Sequence, residues 1–110
     1  MVSISISKIK ANKGMIFERS IVVVAENQFS CDMGTEVAIL DLRSGIYFGL
    51  NEVGARIWHL LQEPRDVNKI LKVILEEYDV DSERCKHELL TFLQQLEDKG
   101  LIEVNNGDAT

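Results

Sequence analysis

A chain of 110 residues suits one domain and can bury a real core without disulfide staples. With 45% hydrophobic and 27% charged residues it reads as globular rather than disordered. The net charge of −6 is uneven: Lys8, Lys10, Lys13 and Arg19 against Glu18 give residues 1–20 a balance of +3, which leaves −9 on the rest. An acidic body argues against nonspecific nucleic-acid binding, which depends on cations displacing the counterions of phosphates.

The N-terminal "MVSISISKIK" has no unbroken apolar run of signal-peptide type, and no later stretch is long and apolar enough to span a bilayer. Cys31 and Cys85 lie far apart without a CxxC pairing, so a reducing, cytoplasmic setting is expected. "VSISISKI" alternates apolar and polar residues, as a first strand or a partner-pairing arm would; its basic residues read first as a solubilising edge. Residues 1–27 are therefore set apart as an arm or extra strand, 28–104 as the folded unit, and 105–110 as a loose tail.

"SIVVVAENQFSCDM" reads as one or two strands broken near Glu26 and Asn27, and "TEVAILDL" as a strand with Ala38, Leu40 and Leu42 on one face. A three-residue loop, Arg43-Ser44-Gly45 with Gly45 left-handed, would pair Leu42 with Ile46, Leu40 with Phe48 and Ala38 with Leu50. It would put Asp41 opposite Tyr47 on the other face; a two-residue loop would instead set Asp41 beside Phe48.

Three helices follow. Asn51 caps the first, with Val53, Ile57, Trp58, Leu60 and Leu61 as its apolar stripe. Beyond Pro64, Asp66 caps a second helix that turns Val67, Ile70, Leu71, Ile74, Leu75 and Tyr78 inward. Asp81 or Ser82 starts a third, with Cys85, Leu89, Phe92, Leu93 and Leu96 as its stripe and Gly100 at a left-handed C-cap. "LIEV" suits a short last strand. Strands first, then three closely spaced helices, describe an α+β domain of winged helix-turn-helix type.

Catalytic signals are weak. Cys85 and His87 stand two apart on a helix and point to different faces, so they cannot share a metal. His59 is the other histidine, and Glu76–Glu77 and Glu97–Asp98 are neighbours on solvated faces rather than facing acids. No metal or cofactor is expected. The third helix, at 81–99, carries Arg84, Lys86 and Lys99 against Asp81, Glu83, Glu88, Glu97 and Asp98, a net −2 that does not suit a major-groove reader.

What remains is the corner "DLRSGIYFGLNEVGARIWHLL", where a strand period gives way to a helix period. If the strand at 46–50 lies at a sheet edge, its outer N–H and C=O groups invite another chain. Together with "ILEEYDV" and "FLQQLEDKGLIEV", this run resembles the stand-alone PqqD-like proteins of lasso-peptide biosynthesis, the recognition elements for ribosomally made peptides. The resemblance covers about 37–104 and is weaker before 28.

The resemblance implies three antiparallel strands followed by three helices. It also implies that a precursor's leader peptide adds as a fourth strand against Ile46, Tyr47, Phe48, Gly49 and Leu50, beside the third helix. A leader in this group carries a Tyr and a Pro a few residues apart and needs an apolar groove. Leu90 and Leu93, with Lys86 and Glu97 nearby, are the expected groove wall. Family members are not enzymes: they hand the leader to a separate cysteine-protease peptidase before a lasso cyclase closes the ring. The alternatives left open are a DNA-binding winged-helix regulator and a protein–protein adaptor.

Overall fold

The computed structural model describes residues 2–3 and 16–106. In chain order it contains β1 (Val2–Ser3), β2 (Ile21–Val24), β3 (Gln28–Met33), β4 (Glu36–Asp41), β5 (Tyr47–Leu50), α1 (Glu52–Leu60), β6 (Arg65–Asp66), α2 (Val67–Glu77), α3 (Ser82–Asp98) and β7 (Ile102–Asn105). One sheet runs β1-β5-β4-β3, with β3, β4 and β5 antiparallel and β1 parallel to β5. A second, antiparallel sheet runs β6-β2-β7. The molecule is a mixed α+β fold.

The β4–β5 hairpin differs from expectation by one residue. Leu40 lies opposite Tyr47, Ile39 opposite Phe48 and Val37 opposite Leu50. The Asp41 amide donates to the Ile46 carbonyl, so four residues, 42–45, form the loop. Asp41 explains the change. Its side chain is almost wholly buried and accepts from the Arg43 amide at 3.1 Å and the Ser44 hydroxyl at 3.0 Å, which ties down the extra residue. A one-residue slip exchanges the faces of a strand. The core side of β4 is thus Val37, Ile39 and Asp41, while Leu42 is exposed. Gly45 does take the left-handed conformation, at φ +75°.

The helix ends follow their capping chemistry. The side chains of Asn51, Asp66 and Asp81 accept from the amides of Gly54, Lys69 and Arg84, each satisfying an N-terminal donor the helix leaves free. At the end of α3 the Gly100 amide donates to the Glu97 carbonyl and the Leu101 amide to the Leu96 carbonyl, with Gly100 at φ +74°. This is a Schellman ending, and it turns the chain sharply enough to lay β7 back against β2.

From Ile16 on, the segment set apart as an arm contributes to the core. Ile16 is buried and Val22 fully so, and β2 is the middle strand of its sheet. The break expected near Glu26 and Asn27 separates β2 from β3. Within "VSISISKI", Val2 and Ser3 form β1, and residues 4–9 lie outside the described residues. The core itself gathers Val37, Ile39, Phe48 and Leu50 from the first sheet, Ile57, Trp58 and Leu61 from α1 and its end, and Leu89, Leu93 and Leu96 from α3.

Candidate peptide-binding edge and groove

Backbone direction along β5 is set by the hairpin. Antiparallel partners alternate between pairs that exchange hydrogen bonds and pairs that do not. The Asp41 amide donates to the Ile46 carbonyl, so Ile46, and Phe48 and Leu50 two and four residues on, face β4. The amides and carbonyls of Tyr47 and Gly49 therefore point to the opposite edge. That edge carries β1: Val2 lies opposite Phe48 and Ser3 opposite Gly49. The outer side of β5, expected to be unpaired, is engaged over two residues by the chain itself.

Beside this edge lies a groove of about 760 Å³. Gly49 and Leu50 bound it on the sheet side, Val53, Gly54 and Ile57 along α1, and Cys85, Leu89 and Phe92 along α3. Gly54 lets α1 pack closely here: a Cβ there would stand 3.3 Å from Phe92 Cζ and 3.4 Å from Leu50 Cβ, with no room for a larger side chain. The rim adds Asp79, Asp81 and Glu88 against Arg84, one cation to three anions. Arg84 Nε donates to Glu88 at 3.0 Å, which leaves the rim acidic. The Cys85 thiol is pushed up by burial and then by the neighbouring Glu88, so it stays protonated.

The expected site residues divide into three groups. Gly49 and Leu50 border the groove. Tyr47 and Ile46 are exposed, whereas Phe48 is buried and packs into the core. On α3, Leu93 is fully buried and Leu90 is half-buried against the core. Lys86 pairs with Glu18, and Glu97 accepts from Gln94 Nε2 at 2.9 Å. None of these four α3 residues lines the groove, which follows the Cys85–Leu89–Phe92 row instead. That row is legible in the sequence as an apolar stripe, but its whole length reads as core. Leu89 is core in the structure as well, and the groove exposes parts of Cys85 and Phe92, which are only half-buried.

Elsewhere, His59 Nε2 lies 2.8 Å from an oxygen of Asp32 on the exposed surface, a pairing across 27 residues that no local spacing reveals. Each lysine and arginine of the third helix and its cap is engaged. Arg84 pairs with Glu88, Lys86 with Glu18, and Lys99 Nζ sits 5.7 Å from the centre of the Phe48 ring.

Over residues 36–102 the chain matches the family described as "Coenzyme PQQ synthesis protein D (PqqD)". The chain belongs to the PqqD family. The PqqD match runs from the first residue of β4 into β7, and so contains β5 and every residue that lines the groove. Among solved structures this PqqD-family chain is similar to "TbiB1 in Complex with the TbiA(beta) Leader Peptide", at 38% identity and a TM-score of 0.70, over 80% of this chain and 99% of that one. It also shares its fold with "Lasso peptide synthetase B1 complexed with the leader peptide", at 20% identity and a TM-score of 0.67, over 74% of this chain and 96% of that one. No curated protein matches it.

Proposed function

We propose that this chain is a recognition element of lasso-peptide biosynthesis that binds the leader of a ribosomally made precursor by adding it as a strand along β5. The observation that carries the reading is the meeting of two features: outward-pointing backbone groups at Tyr47 and Gly49, and an apolar groove directly beside them. Backbone pairing takes up an extended peptide whatever its side chains, and the groove selects which peptide. The likeness to TbiB1, whose structure holds a leader peptide, supports the same assignment. The acidic rim favours a leader with a basic residue near the side chain that enters the groove.

The role is non-catalytic in this reading. The chain presents the leader to a separate cysteine-protease peptidase and to a lasso cyclase in the cytoplasm, and holding substrate and enzyme together replaces a bimolecular encounter with a local one. The upward push on the Cys85 thiol by burial supports it, since a thiol held protonated is a poor nucleophile. The strands followed by three helices, with a four-residue turn at 78–81 between α2 and α3, are read as a winged helix-turn-helix put to peptide rather than DNA recognition. The engagement of Arg84, Lys86 and Lys99 disfavours the DNA-binding alternative.

The test is a fluorescence-polarisation titration with the labelled leader of the precursor encoded beside this gene. Saturable binding that is insensitive to added DNA is expected. No binding of leader at concentrations that saturate a known leader-binding relative would refute the reading.

A further inference from the structure

We infer that the chain's own N-terminal strand is a built-in competitor for the leader's edge. The inference rests on the reading of β5 as that edge. Val2 and Ser3 pair in parallel with Phe48 and Gly49. In a parallel ladder a residue's amide reaches the carbonyl one place before its partner, and its carbonyl accepts from the amide one place after. Val2 therefore takes the Tyr47 carbonyl and the Gly49 amide. These are the groups that the hairpin turns outward and that an added strand of either direction needs. Leader and N-terminal strand cannot occupy them together.

A strand of two residues would gain too little to bind from free solution, but this one is tethered. Twelve residues, 4–15, join Ser3 to Ile16, which is buried in the core. A tether of that length supplies an effective concentration on the order of millimolar. The chain thus divides between a self-paired form and an open form, and only the open form accepts a leader. Apparent leader affinity is the intrinsic affinity reduced by the open fraction. A leader must displace a local strand, so weakly matching extended peptides are excluded from the edge.

Two variants open the edge: one lacks residues 2–9, and the other carries alternating Gly and Ser at those positions. Both leave the chain from Ile16 onward intact, and circular dichroism verifies the fold. Without leader, exchange of the Gly49 amide should be at least about threefold faster in both variants than in the parent. The Tyr47 amide, beyond the reach of Val2 in this register, should not change. Labelled leader should bind both variants at least about threefold more tightly. A synthetic peptide of residues 2–9, added at millimolar concentration, should displace leader from the shortened chain. Equal leader affinities for parent and variants overturn the competition, as does a Gly49 amide that exchanges equally fast in all three. Leader that binds none of the three chains overturns the reading of β5 as the leader edge and takes the competition with it. Gly49 exchange, measured without leader, tells the two failures apart.

Discussion

Gly45 and Gly100 both hold positive φ, yet a side chain would meet different surroundings at each. At Gly45 nothing lies within 4 Å of the point a Cβ would occupy, so substitution meets backbone strain alone. Gly45→Val should lower stability by about 1–2 kcal/mol, read from the midpoint of urea unfolding. An unchanged midpoint would contradict the left-handed turn. At Gly100 a Cβ would run into Arg43 Nη2, the end of a flexible side chain that can swing aside. Asp41 is the residue that sets the hairpin. Removing its carboxylate leaves the Arg43 amide and the Ser44 hydroxyl without their partner. Asp41→Ala should cost about 1–3 kcal/mol in the same experiment, and a neutral result would mean the loop holds its length without that side chain.

Among the elements, β5 offers a test by parity. Proline at 47 or 49 removes an outward amide and should weaken leader binding while the fold survives, because edge positions tolerate it. Phe48→Pro removes an amide bonded to Ile39 and should unfold the hairpin. Circular dichroism separates the cases. Folded proline variants at 47 and 49 that bind leader like the parent would refute strand addition here. The two flanks of α3 are separable in the same assay. Phe92→Ala, at the groove, should weaken binding about tenfold, whereas Lys86→Ala should leave it unchanged. α1 and α2 are joined by a forked contact in which Arg56 donates to Glu77 from Nε at 2.8 Å and from Nη2 at 2.7 Å. The guanidinium's hydrogen bond holds the Glu77 carboxyl below its ordinary value. A lowered folded value means that the contact's stabilisation is present in full above the ordinary carboxylate range. It is lost as pH falls through the lowered value. Thermal melts of the parent and of Glu77→Gln should therefore differ near neutral pH and converge in acid, and a gap that persists there would assign the stabilisation to something other than the ion pair.

For the whole molecule, residues 16–24 are structural. Burying Ile16 and Val22 is worth about 1.5–3 kcal/mol each. β2 also supplies the middle of a sheet whose neighbours, β6 and β7, come from distant parts of the chain. A chain beginning at Gln28 should lose its cooperative melting transition. A sharp, parent-like transition would show that 28–104 is self-sufficient.

Features that depend on neighbours along the chain were legible from the residues alone. Asn51, Asp66 and Asp81 each cap the helix they precede, and Gly100 ends α3, because capping bonds span only three to five residues. The strand–helix corner at 50–52 was legible for the same reason, as was its likeness to a family. The hairpin register required knowing that Asp41 is buried, which is decided by what packs over it. The groove brings Gly54 and Phe92 together, 38 residues apart in sequence. The pairing of Val2 with Phe48, and the place of β2 between β6 and β7, join segments whose partners no local period can name. Local hydrogen bonds and periodicity set the elements, whereas the faces they present and the edges they leave open follow from which distant surfaces exclude water together.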